Sequence, residues 1–359
     1  MATHVKILDN YAFVTYNTKG DMYLGGLEVF DVTDISNPQI VWQAIFSKAD
    51  ISSVDYYNNK LYIVGAQDIS SMPDARLRTP ALLEVLTLNN NREIQKVDTI
   101  LNLDSYVGTD VKVNSGGIYA TSGSNGFLKI YNHQFDSVFA TPLNDARSVD
   151  VNTTEAFVLS GQPGKISVFS KGNNSLAKTL NPDGANIPES KSEIAVTDQY
   201  IYAALNDGGL KIYNTNGTLK QHIPRPATPV GMNDVDFVTN SVSLNGDLVL
   251  LANGEAGLYI GGIVKSRSDS VFLLGSIRFG DYESANFVES RDSVIFVATG
   301  LGGLKILSIS IDEGVPENII PTKPCATLYD RIFSLFPESQ NNYKRYPELF
   351  AARLLKMWY

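Results

Sequence analysis

The stretch Gly209-Leu210-Lys211-Ile212 decides the fold, because close copies of it recur along the whole chain. Every copy has aliphatic residues at its second and fourth positions, and most copies begin with glycine. The seven copies are residues 26–29, 82–85, 127–130, 165–168, 209–212, 257–260 and 303–306. Their second positions run from Leu27 to Leu304, which gives a mean repeat of about 46 residues. A fixed period of this length indicates a repeat architecture.

Each repeat predicts four short strands in the same order. In the second repeat these are 53–57, 61–66, 83–86 and 95–100, with a hairpin turn at Asn58-Asn59-Lys60. The quoted stretch is the third strand, and its alternation of apolar and polar residues has the period of a strand. Four strands repeated seven times are typical of an all-β, seven-bladed β-propeller, in which each blade is covered by two neighbours. The predicted propeller domain spans residues 1–320, with repeats from about residue 4.

Composition excludes several classes of protein. The 359 residues carry 29 Lys and Arg against 38 Asp and Glu, and the net charge of −9 argues against binding to nucleic acid. The one cysteine, Cys325, excludes an internal disulfide framework, and three histidines leave little for a histidine-rich metal centre. No apolar run approaches the roughly 18 residues of a membrane helix, so no transmembrane segment is expected. The start of the sequence does not predict a signal peptide, and this taken alone favours the cytoplasm.

The aligned repeats resemble the LVIVD-repeat family of bacterial and archaeal β-propellers. The best match combines Gly26-Leu27-Glu28-Val29-Phe30-Asp31-Val32 with Ile35-Ser36-Asn37-Pro38 in the first repeat. Asp110-Val111-Lys112-Val113 and Asp234-Val235-Asp236-Phe237 carry the family's opening motif, whereas the second and fourth repeats lack its Asn-Pro pair. Most members of the family are uncharacterised proteins of the cell surface or periplasm. The resemblance therefore implies an exported protein, and the cytoplasm is the alternative.

The last 39 residues, 321–359, do not follow the repeat. Residues 327–336 predict a short helix that ends at Pro337, and residues 348–358 predict a second helix that begins after Pro347. A helix of about 12 residues is marginal alone, so we expect this tail to dock on the propeller or to mediate dimerisation.

The residue at the start of each innermost strand is expected to face the central channel. Three of these residues are carboxylates, Asp110, Glu193 and Asp234, and oxygen ligands of this kind suit Ca²⁺ or Mg²⁺. The competing interpretation is a water-filled channel in which the acids cap backbone amides. No other cofactor is expected, because the sequence contains no nucleotide-binding or redox motif.

Binding is the function that the loops favour. The longest connections, 17–26, 66–81, 181–190 and 222–233, meet at the rim where the innermost strands begin, and long loops on a rigid scaffold commonly carry function. We expect this rim to bind a protein or a glycan as a catalytically inert module. The remaining candidate ligand-binding residues are His4, Ser53, Ser148, Asn206, Asp207 and His222. The alternative function is a metal-assisted lyase or hydrolase that uses the channel carboxylates.

Overall fold

The strands form seven antiparallel sheets of four strands each, as the repeats predict. The computed structural model describes residues 1–18, 20, 23–188 and 190–309, together with the backbone of residues 355–358. Each sheet is one propeller blade in which neighbouring strands follow each other along the chain. The strands are β1 Ala2–Leu8, β2 Tyr11–Tyr16, β3 Gly25–Asp31, β4 Gln39–Phe46, β5 Ala49–Tyr57, β6 Lys60–Gln67, β7 Ala81–Leu88, β8 Ile94–Asn102, β9 Gly108–Asn114, β10 Gly117–Ser122, β11 Phe127–Tyr131, β12 Ser137–Pro142, β13 Ala146–Val151, β14 Glu155–Ser160, β15 Lys165–Ser170, β16 Leu176–Leu180, β17 Ile194–Val196, β18 Tyr200–Ala204, β19 Leu210–Asn214, β20 Leu219–Ile223, β21 Ser241–Asn245, β22 Leu248–Ala252, β23 Leu258–Val264, β24 Ser270–Ile277, β25 Phe287–Arg291, β26 Val294–Ala298, β27 Leu304–Ile309 and β28 Leu355–Trp358. Two short 3-10 helices, Asp234–Asp236 and Lys265–Arg267, lie between strands.

The hydrophobic core is divided into seven clusters, and each cluster lies between two adjacent blades. The first strand of each blade contacts the first strand of the next, and β25 of the seventh blade contacts β1 of the first. Hydrogen bonds also close the ring here: the Ala2 N–H donates to the Gly300 carbonyl over 2.7 Å, and the Asn286 amide donates to the Ala2 carbonyl over 2.9 Å. Every blade therefore covers both of its apolar faces.

The strand register repeats from blade to blade. The second strand carries an aromatic residue at one fixed position in six blades, and Leu250 takes its place in the sixth blade. The residue opposite this position on the first strand is Lys6, Asp55, Lys112, Asp150, Ala195, Ser243 or Glu289, in blade order. These seven residues consequently occupy equivalent places around the central axis.

Glycine is needed before the third strands for two different structural reasons. Gly209, Gly257 and Gly303 adopt positive φ angles of 69°, 85° and 69°, a backbone conformation that favours glycine. Gly126 has no positive φ, and a Cβ there would lie 1.9 Å from the Ser122 carbonyl oxygen. Close backbone approach, rather than turn geometry, excludes a side chain at that position.

The end of the chain supplies the fourth strand of the seventh blade. β28 pairs antiparallel with β27, with Ile306 opposite Trp358 and Ile309 opposite Leu355. The predicted helix over 348–358 is therefore wrong for Leu355–Trp358, where pairing with an open sheet edge overrides the helical pattern of the sequence. The predicted helix over 327–336 and Cys325 lie outside the described residues.

We expect Phe157→Ala to lower the free energy of unfolding by about 3–5 kcal/mol, because it opens a cavity in a tightly packed core. Phe157 is fully buried in the cluster between the fourth and fifth blades. Urea denaturation followed by circular dichroism measures the effect. Val138→Ala, at a side chain that is 52% exposed, is the control and should change the stability by less than about 0.5 kcal/mol. A loss below about 1 kcal/mol for Phe157→Ala would contradict the packing between blades.

Candidate functional site

Two rings of side chains surround the central axis. The first ring, nearer the rim where the innermost strands begin, consists of His4, Ser53, Asp110, Ser148, Glu193, Ser241 and Phe287. The second ring lies two residues further along each strand and consists of Lys6, Asp55, Lys112, Asp150, Ala195, Ser243 and Glu289. Most of these residues line a central cavity of about 240 Å³.

The second ring alternates in charge over five consecutive blades. Lys6 Nζ lies 3.0 Å from Asp55 Oδ1 and 3.5 Å from Glu289 Oε1, and Lys112 Nζ lies 3.0 Å from Asp150 Oδ1. The Glu289 charge is the main cause that raises the pKa of Lys6, and the Asp150 charge does the same for Lys112. Both lysines are therefore firmly cationic.

Four of the channel carboxylates also join neighbouring blades, because each of the four accepts a backbone N–H from the next blade in the ring. Four such bonds are Val113 to Asp55 over 2.7 Å, Val149 to Asp110 over 2.9 Å, Val196 to Asp150 over 2.8 Å and Ile7 to Glu289 over 2.9 Å. Buried backbone donors need such partners, so these acids have a structural role whatever else they do. Of the three acids that the sequence placed in the channel, Asp110 is the one that caps a backbone amide in this way.

Asp110 and Glu193 are the two acids of the first ring. Ser53 and Ser148 donate hydrogen bonds to Asp110 over 2.8 and 3.0 Å, and Lys191 Nζ lies 3.3 Å from Glu193 Oε1. Burial raises the pKa of Asp110 in spite of these hydrogen bonds. Burial, and after it the charge of Asp110, raises the pKa of Glu193 to about 7, although the Lys191 ammonium acts in the opposite direction. The two acids therefore disfavour each other's ionisation.

His4 is buried against Phe287, with ring centroids 3.6 Å apart. Burial is the largest cause that holds the pKa of His4 well below its usual value, and the charges of Lys191, Lys6 and Lys112 add to it. The imidazole is therefore neutral near pH 7. Among the described residues, no group forms a hydrogen bond with His4 Nδ1.

Asp234 does not lie in the channel, and the predicted site of three carboxylates is wrong in this respect. Asp234 begins a 3-10 helix that Asn233 caps, its side chain is 74% exposed, and its carboxylate lies 3.2 Å from Arg225 Nη2. Hydrogen bonds from Thr228 and Arg225 lower the pKa of Asp234. The first strand of the sixth blade begins later, at Ser241, and the Asn245-Gly246-Asp247 turn that follows it is the signal that could have placed it.

The proposed metal ligands are consequently divided between two places, with Asp110 and Glu193 in the channel and Asp234 on the surface. Within the part of the chain that the structure describes, no group of three or more His, Cys, Asp or Glu side chains is arranged to hold a metal ion.

The other candidate ligand-binding residues separate into three groups. His4, Ser53 and Ser148 belong to the first ring. Asn206 is fully buried and accepts a hydrogen bond from Arg147 over 2.8 Å, whereas Asp207 is exposed and accepts two from Asn186, over 3.0 and 2.8 Å.

His222 lies on β20, the outermost strand of the fifth blade, where Nε2 is 2.9 Å from the Gly208 carbonyl oxygen. The loop predicted over 222–233 therefore begins only after Ile223. Sequence reasoning also missed every charged residue of the second ring, although each follows a first-ring residue at a spacing of two.

The two rims of the propeller differ in their exposed apolar side chains. The long-loop rim holds the connections between second and third strands and between successive blades. The apolar rim set on these loops, each member at least 40% exposed, is Leu24, Met72, Tyr106, Val230, Met232, Val235, Tyr282 and Leu301. No described turn on the opposite rim exposes a large hydrophobic side chain to this extent.

Several rim loops are tied to each other or to strands. Isolated β-bridges join Asn206 to Thr239 and Gly254 to Ala285. Arg278 Nη2 lies 4.0 Å from Met232 Sδ, which brings together the connections on either side of the sixth blade. Some members of the apolar rim set therefore lie on loops that contacts within the protein hold in place.

In comparisons with known proteins, no protein-family model matches the chain, and no curated protein matches it. The resemblance to the LVIVD-repeat family therefore stays a prediction. No helix in the described ranges is long and apolar enough to cross a membrane.

We expect Glu193→Gln to flatten the pH dependence of stability between about pH 5 and 8. The pKa of Glu193 rises from 4.5 to about 7 on folding, so the folded state keeps a proton that the unfolded state loses, and stability falls as the pH rises through this range. By pH 8 the free energy of unfolding of the wild-type protein should have fallen by roughly 3 kcal/mol relative to that of the variant. Urea denaturation at several pH values measures it.

Glu84→Gln is the matched comparison. Burial raises the pKa of Glu84 to about 7 as well, but this residue lies on β7, outside the channel. The prediction fails if stability changes with pH as steeply in Glu193→Gln as in wild type, while Glu84→Gln shows a weaker pH dependence. That result would show that Glu193 is ionised in the native channel near pH 5.

Proposed function

We propose that the propeller is a binding module that engages a protein partner through its long-loop rim. The observation that carries this proposal is the confinement of exposed apolar loop residues to that rim. A partner that covers such side chains gains hydrophobic free energy roughly in proportion to the apolar area removed from water.

The composition of the apolar rim set favours a protein over a glycan. Its members are mainly aliphatic and methionine side chains, with aromatic rings only at Tyr106 and Tyr282. Methionine and tyrosine are enriched in protein interfaces. Glycan binding depends more on aromatic platforms surrounded by polar groups, and the set provides few of these.

The test compares wild type with the triple variant Met232→Ser, Tyr282→Ser, Leu301→Ser as baits for proteins of the source cell, followed by titration of the purified partner. The three side chains are 40%, 75% and 74% exposed, so their loss should leave the fold intact. Interface anchors typically contribute about 1–2 kcal/mol or more each, so we expect the Kd to rise at least tenfold.

The matched control is the triple variant Val97→Ser, Val138→Ser, Leu176→Ser. These residues are 47%, 52% and 56% exposed but lie on outermost strands, away from the rim. The control should bind as wild type does. Equal binding by both triple variants would refute the rim as the interface, and saturable binding to a glycan array that the rim variant loses would assign the rim to sugars.

We also propose that the protein acts at the cell surface or in the periplasm. The resemblance of its repeats to the LVIVD-repeat family supports this location. Fractionation of the source cells, with an antibody against the propeller, should recover the protein outside the cytoplasmic fraction. Recovery with a cytoplasmic marker enzyme would refute the proposal and leave the rim interface untouched.

A further inference from the structure

The alternating charges of the second ring stop at two adjacent blades. Five blades carry Glu289, Lys6, Asp55, Lys112 and Asp150 in order around the axis. The fifth and sixth blades carry Ala195 and Ser243 at the equivalent positions. The ring therefore has a neutral gap that is bordered by an acid on each side.

This gap adds free space to the channel, which residues of all seven blades line. Ala195 and Ser243 have short side chains where the other five blades carry long or charged ones, and both line the cavity of about 240 Å³. On the gap side the wall also includes the apolar residues Val196, Val242 and Leu244. The cavity is smaller than the roughly 300–1,000 Å³ of pockets for drug-sized ligands, so it suits a small molecule.

The channel has more negative than positive groups. Five carboxylates, those of Asp55, Asp110, Asp150, Glu193 and Glu289, stand against the three ammonium groups of Lys6, Lys112 and Lys191. Asp55 has a lysine on each side in the second ring. Asp150 and Glu289 each have a lysine on one side and the gap on the other. Burial raises the pKa of Glu289, although the Lys6 ammonium acts in the opposite direction.

His4 is a second and independent indication of a ligand. It is only 6% exposed, it lines the same cavity, and its Nδ1 has no hydrogen-bond partner among the described residues. A neutral imidazole with a free nitrogen can accept a hydrogen bond. Water reaches the channel, because Lys112 lines the cavity and its side chain is 38% exposed.

We propose that the gap between Asp150 and Glu289 binds a small aliphatic primary amine in its ammonium form. The ammonium group completes the alternation of charges, and the aliphatic chain lies against Ala195, Val196, Val242 and Leu244. A diamine fits best, because a second ammonium group can meet the acids of the first ring. This site is separate from the rim interface and does not depend on it.

Isothermal titration calorimetry of the intact chain at about pH 8 tests the proposal, with 1,4-diaminobutane, 1-aminobutane, 1,4-butanediol and calcium chloride as probes. We expect saturable binding of the diamine, at least about tenfold weaker binding of the monoamine and no binding of the diol. No saturable binding of either amine, or equal binding of diol and diamine, would overturn the site. Calcium binding that the diamine cannot displace would assign the acids to a metal instead.

Two variants locate the site. Ser243→Lys places an ammonium group in the gap and should weaken diamine binding at least tenfold, and Asp150→Asn should do the same by removing one of the bordering charges. If Ser243→Lys does not fold, Asp150→Asn alone decides. Asp292→Asn, at an acid that is 89% exposed in the turn between β25 and β26, is the control and should bind the diamine as wild type does. Unchanged affinity in the folded gap variants would refute this location.

Discussion

Each four-stranded blade has two apolar faces and cannot cover either alone, and the rest of the structure depends on this constraint. Only a closed ring gives every blade two neighbours. Closure fixes the register of the innermost strands, since each apolar cluster must meet its counterpart across an interface. A fixed register in turn determines which two residues of each blade belong to the channel rings.

Closure of the ring brings charged side chains together in the channel, where they are largely removed from bulk water. The protein compensates these charges in two ways. Lysines alternate with acids around most of the second ring, and the acids accept backbone N–H groups from the next blade. Buried charges without such partners would be strongly destabilising. The same contacts therefore stabilise the channel and hold neighbouring blades together.

The repeat predicted the fold because its signal is local: the seven third strands fall where the aliphatic positions place them. It failed where a local pattern competes with tertiary structure. Asp234-Val235-Asp236-Phe237 has the sequence of an innermost strand, but Asn233 caps it as a 3-10 helix and Arg225 holds Asp234 at the surface. The helical pattern of the tail likewise gives way to strand pairing at β27.

The charge alternation of the second ring could not be predicted from the sequence for a different reason. It depends on the order of residues around the central axis, and these residues are far apart along the chain. An odd number of positions cannot alternate in charge without a break, so a seven-membered ring must contain two like neighbours or a neutral residue. One neutral blade would suffice, yet this ring has two, Ala195 and Ser243, with an acid on either side. A lysine at either position would have continued the alternation. The short side chains that stand there instead leave free volume between two acids, each of which has a lysine on one side only, and a bound cation can occupy that volume.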